Sequence, residues 1–300
     1  MSVATRREFM AGAAAGLVGV GRAVTAGART PQASGLDFPI EDYHVHLNSM
    51  TIEQVVATSK ETGVKYGILE HCGTKENEYP IMLSNDKDLL GWIEKLQGKG
   101  VYVGAQAEWI DWVACFSKEV FSQLDYVLTD SWTVRDASGR RTKAFGRDYD
   151  PGNDAEAFMK WYVDWIVEIL ETTPLDIWSH PMWVTRKFNP QLEQLWTEER
   201  MHRVIRTLKS MNTAVEIDSS VKLPTMPFLK MAKAEGIRFS FGASSQGARV
   251  NPLDWSIGTA KELGLTRKDM FQPAPRSRKP IQVRTLRKTI GSIRAVSRLA

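Results

Sequence analysis

The chain has 300 residues, 43% of them hydrophobic and 25% charged, and its formal net charge is +4 at pH 7. A chain of this length and composition can bury a sizeable core, as one large α/β domain or two small ones. Two cysteines, Cys72 and Cys115, exclude a disulfide-rich scaffold but leave one disulfide open. No central segment approaches the roughly 20 consecutive apolar residues of a stable membrane span.

The N-terminal segment has the pattern of an export signal. Arg6 and Arg7 precede Glu8-Phe9, an Ala/Gly-rich apolar run covers residues 11–21, and small residues surround position 27. This order predicts that residues 1–28 direct export, that the paired arginines engage the twin-arginine export machinery, and that the mature protein is periplasmic or otherwise exported. An ordinary secretory signal that happens to contain Arg-Arg is the alternative. Residues 29–37 are expected to be a linker.

Seven short apolar runs alternate with amphipathic segments along the rest of the chain. Strands are predicted at residues 43–47, 66–69, 101–107, 126–128, 175–178, 214–217 and 238–241. Helices are predicted at residues 51–62, 87–97, 118–124, 155–171, 193–211 and 227–235. This alternation predicts parallel strands joined by right-handed crossovers. A single-domain, TIM-like α/β barrel over residues 38–272 is favoured over an open doubly wound sheet, because candidate site residues recur at the strand ends.

Two segments depart from this rhythm. Residues 134–154 form a long polar stretch that contains Arg147, and we expect either a lid over an anionic substrate or a solvated insertion. Residues 266–300 hold ten basic and one acidic side chain, a net charge of +9. The basic tail, residues 273–300, is predicted to be an amphipathic helix against the barrel or an anionic surface, or else disordered. Nucleic-acid binding is not expected of an exported chain.

Side chains capable of chemistry follow the predicted strands. His44 and His46 are spaced i, i+2, which on a strand turns both imidazoles to one side and predicts a pair of metal ligands. Two hydrogen-bonded structural histidines are the alternative. The later strand ends carry Glu70-His71, Glu108, Asp130-Ser131-Trp132, His180-Pro181, Glu216-Ile217-Asp218 and Ser244-Ser245-Gln246. The fifth histidine, His202, lies in a predicted helix and is expected to be a surface or packing residue.

This ordered set of motifs resembles the PHP (polymerase and histidinol phosphatase) family. The resemblance covers roughly residues 38–272 and rests on His-x-His, acid-His, Gly-x-x-x-Glu, His-Pro, Glu-x-Asp and Phe-Gly in order. It implies a distorted seven-stranded (β/α) barrel that holds a multinuclear zinc or manganese centre and hydrolyses phosphate esters. On the matching positions, His44 and His46 would bind a first ion, and Glu108 would bridge it to a second ion held by His180. His71 would belong to a third ion.

Three matching positions depart from the family pattern. Trp132 stands where the family has a histidine, and Ser244 and Gln246 occupy its Asp-x-His positions. Neither a serine hydroxyl nor a glutamine amide replaces carboxylate or imidazole well at zinc. We therefore predict a reduced site of one or two ions. The preferred version has one zinc or manganese ion bound by the four remaining candidates, which are His44, His46, Glu108 and His180.

The predicted activity is hydrolysis of a small-molecule phosphate or other ester by a metal-bound hydroxide. Asp218 is a candidate general base or orienting group, and His71 a candidate acid, although each also fits a structural role. Asp130 fits a turn residue better. Arg147 and Arg186, followed by Lys187, could bind an anion or could simply be solvated.

Tryptophans cluster beside the candidate ligands in the sequence. Trp132 is expected to contact substrate, and rings at positions 109, 112, 178 and 183 would suit a ring-bearing or sugar-like compound or else pack the barrel top. The main alternative to an enzyme is a non-catalytic exported binding protein on a degenerate barrel. An amidohydrolase-like barrel would need a lysine and a late-strand aspartate that the pattern does not supply.

Overall fold

Seven parallel strands close into a barrel in the computed structural model, which describes residues 35–136 and 138–284. The barrel strands, in the order in which they pair, are β1 (Glu41–Val45), β2 (Lys65–Cys72), β3 (Tyr102–Ala107), β4 (Tyr126–Thr129), β7 (Ile177–Trp178), β8 (Ala214–Asp218) and β9 (Phe239–Gly242). β9 pairs with β1 at Phe241 and Asp42, which completes the ring. The predicted single-domain TIM-like α/β barrel is confirmed.

Helices follow most of the strands. They are α1 (Ile52–Thr62), α2 (Asp86–Leu96), α3 (Lys118–Phe121), α4 (Ala155–Thr172), α5 (Leu192–Leu195), α6 (Glu198–Met211), α7 (Met226–Ala234), α8 (Asp254–Leu263) and α9 (Pro280–Val283). α1 begins with a capping box in which Thr51 and Gln54 bind each other's backbone N–H groups. It ends at Gly63, which adopts the left-handed conformation with φ 69°.

Beyond shifts in the ends of elements, three differences from the predicted elements concern which elements form. Residues 193–211 form two helices, α5 and α6, because Trp196 leaves helical geometry with ψ 70°. α8 was missing from the predicted set. Within the long polar stretch, β5 (Thr133–Arg135) and β6 (Arg141–Lys143) pair as an antiparallel hairpin.

A small aromatic cluster fills the barrel below the candidate site. It consists of Tyr43, Leu69, Tyr126, Leu128, Ile177, Ala214 and Phe271, and no helical residue belongs to it. A β-carbon built on Gly67 or Gly104 would lie 2.5 or 2.3 Å from Tyr126, so the two glycines make room for this ring. The Tyr126 hydroxyl donates to the Tyr43 carbonyl at 2.7 Å. This layer closes the amino end of the barrel.

The first part of the basic tail packs against that same end. Ile281 is buried, and the Lys279 ammonium donates to the Asp125 carbonyl. The Arg284 guanidinium donates to the carbonyls of Thr173 and Leu175 at 3.0 and 2.8 Å. Residues 273–284 therefore lie on the barrel, whereas the rest of the predicted tail, 285–300, falls outside the described residues.

The predicted signal, residues 1–28, and the linker as far as residue 34 also lie outside the described residues. Cys72 and Cys115 are both free thiols, which answers the open question of a disulfide between them. Among the residues that the structure describes, no helix combines the length and apolar character needed to cross a membrane.

Candidate metal centre

Two groups of metal-binding side chains lie at the carboxyl ends of the barrel strands. The first, called group 1, contains His44, His180 and Glu216, and the second, called group 2, contains His46, Glu70 and His71. In each group, one candidate ligand atom per residue lies within 4.8 Å of the others, and all six residues are buried. Imidazole and carboxylate are the donors that zinc and manganese take in proteins.

Group 1 joins strands that are far apart in sequence. Glu216 on β8 has its Oε1 2.7 Å from His44 Nδ1, and its Oε2 accepts from the His180 backbone N–H at 2.8 Å. His180 itself has a φ of 47°, a left-handed conformation that is strained in a non-glycine residue. A β-carbon on Gly242 would lie 1.9 Å from Glu216 Oε1. The carboxylate position therefore requires glycine at residue 242.

Asp218 and Asp42 surround group 1 with further negative charge. Asp218 Oδ2 lies 2.5 Å from His180 Nδ1, and its other oxygen accepts from the Ser220 backbone N–H at 2.7 Å. Burial alone would raise the pKa of Asp218, but its contact with His180 outweighs burial and lowers it. Asp42 accepts through Oδ1 from the His44 backbone N–H at 2.9 Å. Its Oδ2 is buried without a hydrogen-bond partner among the described residues.

Two carboxyl groups of this region, Glu216 and Asp42, have raised pKa values. Burial, together with the neighbouring Asp218, raises the pKa of Glu216 to about 8. Burial also raises the pKa of Asp42 to about 7, although the His44 N–H partly offsets the increase. No lysine or arginine in the described part of the chain forms a salt bridge with Asp42, Glu216 or Asp218. A divalent cation would supply the missing positive charge, so the donor set and the unpartnered Asp42 oxygen fit a metal ion.

Group 2 lies beside group 1. The His44 and His46 ring centroids are 5.5 Å apart, and His46 stacks on His71 with centroids 4.7 Å apart. His46 Nδ1 lies 3.8 Å from Glu70 Oε1. Burial would raise the pKa of Glu70, but the contacts with His46 and His71 outweigh it and lower the pKa.

Gln106 links group 2 to the fourth strand. Its side-chain oxygen contacts His46 Nε2 at 2.9 Å, and its amide donates to Asp130 Oδ2 at 2.8 Å. Asp130 also accepts from the Trp132 backbone N–H at 2.9 Å, the turn geometry that its sequence position favours. These bonds fix the His46 ring.

Glu108 belongs to neither group, although it contacts one of them. Its Oε1 lies 2.8 Å from His71 Nδ1. Its Oε2 accepts from the Thr133 hydroxyl at 2.7 Å and from the Lys143 ammonium at 3.4 Å. The four predicted ligands are thus divided: His44 and His180 are together in group 1, His46 is in group 2, and Glu108 stands beside His71.

Two aromatic rings cover the histidines. Trp132 stacks on His180 with centroids 4.1 Å apart, and Tyr79 stacks on His71 at 3.5 Å. The site histidines are at most 6% exposed. The predicted substrate-binding residue Trp132 therefore lies directly over the candidate centre, and water reaches the histidines poorly.

The other predicted site residues are distributed differently. Arg147 and Arg186 are exposed at the surface. Trp183 packs against Trp132, whereas Trp112 stacks on the core residue Phe121 and Trp178 meets Phe228 edge-on. His202 is a half-exposed residue of α6 and lies 3.5 Å from Glu198.

Sequence reasoning did not assign site roles to Glu216, Glu70, Asp42, Gln106, Tyr79, Thr133 and Lys143. For Glu216 a signal was present, because it is spaced i, i+2 from Asp218, just as His44 is from His46. Lys143 had no such signal, since it arrives from a hairpin outside the barrel strands.

Comparison with known proteins supports the fold. No family model matches the chain, and no curated protein matches it by sequence. A zinc-containing histidinol phosphate phosphatase from Lactococcus lactis subsp. lactis, complexed with L-histidinol and phosphate, is similar at a TM-score of 0.53 and 14% identity. The match covers 75% of this chain and 92% of that one. An HpcH/HpaI aldolase from Desulfitobacterium hafniense has a TM-score of 0.35 and 13% identity over 75% of this chain and 92% of that one. At these identities the likeness concerns the fold alone.

Proposed function

We propose that this chain is an exported, metal-dependent hydrolase of the PHP type that cleaves a phosphate ester or another ester of a small molecule. The observation that carries the proposal is group 1, two buried imidazoles and a carboxylate surrounded by acidic side chains at the carboxyl ends of the barrel strands. Active sites of (β/α) barrels lie at this end. Support for the phosphate ester also comes from the likeness to a phosphatase barrel.

In this proposal His44, His180 and Glu216 hold a zinc or manganese ion. Such an ion would supply Lewis acidity and lower the pKa of water. Two of these residues, His44 and His180, are shared with the ligand set expected from the sequence, and Glu216 is added. His46 is assigned to the neighbouring group with His71.

The protein's own side chains orient and shield this centre. Asp218, in contact with His180 Nδ1, fixes the tautomer and orientation of that imidazole, as acidic partners do for metal-binding histidines. Trp132 excludes water from the outer face of His180. Because the histidines are at most 6% exposed, a substrate reaches them only when the covering rings move. Arg147 and Arg186 are the proposed contacts for its anionic group.

The test is a metal-dependent activity measurement. We expect metal-free protein to hydrolyse phosphomonoesters or carboxylic esters only after Zn²⁺ or Mn²⁺ is added. Glu216→Gln, which keeps the shape and removes the charge, should reduce kcat/KM at least about 100-fold. Glu262→Gln, on an exposed position of α8, is the matched control and should behave as the parent. Turnover that needs no metal, or that survives Glu216→Gln, would contradict the proposal.

A non-catalytic binding protein on the same barrel is the second candidate, and the burial of every site histidine favours it. The two functions separate in a single comparison. An enzyme turns over an ester when the ion is bound, whereas a binding protein takes up the ion without turnover on broad phosphate and carboxylic ester panels.

Export is tested independently: replacement of Arg6 and Arg7 by lysine should retain the protein in the cytoplasm if the twin-arginine machinery carries it.

A further inference from the structure

Glu108 has both of its carboxylate oxygens engaged by protein side chains. His71 contacts one oxygen, while Thr133 and Lys143 contact the other. The Glu108 side chain is fully buried and the Lys143 side chain is 19% exposed. A buried carboxylate is costly unless a cation and hydrogen-bond donors compensate it. At Glu108, the protein provides that cation itself.

The β5–β6 hairpin places this cation by its register. Thr133 and Lys143 are direct partners across the hairpin, and the Lys143 ammonium donates to the Thr133 hydroxyl at 2.9 Å. The same ammonium lies 3.9 Å from the centroid of the Tyr79 ring, which stacks on His71. His71, Glu108, Lys143 and Tyr79 thus form a closed ring of contacts. Most of the hairpin lies within the long polar stretch, residues 134–154, which the sequence predicted to be either a lid or a solvated insertion.

The two groups therefore differ in charge compensation. Group 1 contains the Glu216 carboxyl group and lies beside those of Asp42 and Asp218, and none of the three forms a salt bridge with lysine or arginine among the described residues. Lys143, in contrast, lies on the Glu108 side of group 2. We infer that the Lys143 ammonium takes the place of a divalent ion beside His71 and Glu108, so that group 2, which contains His71, holds no ion and the chain binds one. The inference deepens the proposed function, which assigns that ion to group 1.

The experiment counts ions in purified full-length mature protein saturated with Zn²⁺ and freed of excess metal. The parent protein should hold one ion per chain and Lys143→Met should hold one more. Lys143→Arg, which keeps the positive charge, should match the parent. Lys209→Met removes a lysine from an exposed pair with Glu235 and should also match the parent. An unchanged count in Lys143→Met overturns the inference.

A double variant shows where the additional ion binds. Adding Glu108→Gln to Lys143→Met should return the count to that of the parent. If circular dichroism shows that Lys143→Met is unfolded, Lys143→Gln replaces it, because its amide can still bond to Thr133. Lys143→Gln should also hold one ion more than the parent. A parent protein without metal would remove the proposed function, but a gain of one ion in the Lys143 variants would still support this inference.

The parent protein offers an independent readout. Saturated with Mn²⁺, it should show the electron paramagnetic resonance signal of isolated manganese, because a second ion is replaced by the ammonium. A spin-coupled manganese pair in the parent would overturn the inference that Lys143 replaces a second ion. It would not contradict metal-dependent hydrolysis.

Discussion

The amino end of the barrel and group 1 at its carboxyl end differ in how their buried acidic groups are compensated. At the amino end, Glu41 accepts from the Tyr43 and Tyr102 hydroxyls at 2.6 and 2.9 Å, and Asp176 accepts from the Val127 backbone N–H at 2.9 Å. The tail adds Lys279 and Arg284, whose positive charges lower the pKa of Asp176 against the effect of burial. The chain itself thus supplies donors and cations at this end.

Around group 1, the chain supplies imidazoles and leaves one Asp42 oxygen without a partner in the described region. The buried acidic groups of the amino end thus have partners from the chain itself, whereas group 1 is the proposed site for a cation from solution. Substitutions at the two ends should therefore change different measurements.

The largest expected effect is at the carboxyl end. His44→Ala removes an imidazole of group 1 and should lower kcat/KM about 10⁴-fold, or about 5.6 kcal/mol at 1.4 kcal/mol per tenfold change. Zinc affinity measured by competition with a chelator should fall in parallel. His202→Ala, a change of the half-exposed histidine on α6, is the control. Equal losses of kcat/KM and zinc affinity in His44→Ala and His202→Ala would contradict a specific role for group 1.

Next in size is a change in the aromatic layer of the amino end. Tyr126→Ala leaves a cavity between Gly67 and Gly104 and should cost about 3–5 kcal/mol in the free energy of unfolding, measured with urea. Tyr126→Phe loses only the bond to the Tyr43 carbonyl and should cost about 1 kcal/mol. The folded protein should keep its zinc. Loss of zinc from folded Tyr126→Ala would show that the two ends are not separate.

A smaller effect is expected from the pH dependence of Asp176. Burial raises its pKa to about 6, above the roughly 3.9 of an unfolded aspartate. Folding therefore favours the protonated form, and the carboxyl group costs stability as the pH rises through this window. Relative to the parent, Asp176→Asn should gain about 2 kcal/mol in the free energy of unfolding between pH 4 and pH 7. Parallel pH profiles from urea unfolding would contradict the assignment.

The smallest expected effect lies outside both ends. Thr51→Ala breaks the capping box of α1 and should cost about 1 kcal/mol, measured by thermal unfolding. Zinc affinity should be unchanged, because α1 begins after the strand end that carries His44. A drop in zinc affinity would mean that the centre depends on general stability rather than on its own side chains.

The barrel and the location of the site could be predicted from sequence because both follow from local patterns. Strand–helix alternation gives the barrel, and the carboxyl ends of its strands carry His44, His71 and His180. The division of His44 and His46 between two groups could not be predicted from their spacing. β1 has a register irregularity between Asp42 and Val45 and ends there, so simple strand alternation does not carry through His46.

The contacts of Glu108 with Thr133 and Lys143 also could not be predicted from the sequence. Lys143 is 35 residues from Glu108 and arrives on a hairpin within a segment of polar residues without periodicity. Only the pairing of Thr133 with Lys143 brings the ammonium to the carboxylate. Charge compensation between distant elements arises only in the folded barrel, so the spacing of residues in the sequence does not predict it.

Isothermal titration calorimetry of Zn²⁺ binding to the metal-free parent protein and to metal-free Glu216→Gln tests directly whether group 1 binds a metal ion. We expect one ion per chain in the parent and an affinity at least about 10-fold weaker in Glu216→Gln. No binding to the parent, or equal affinity in the two proteins, would contradict a metal centre at His44, His180 and Glu216.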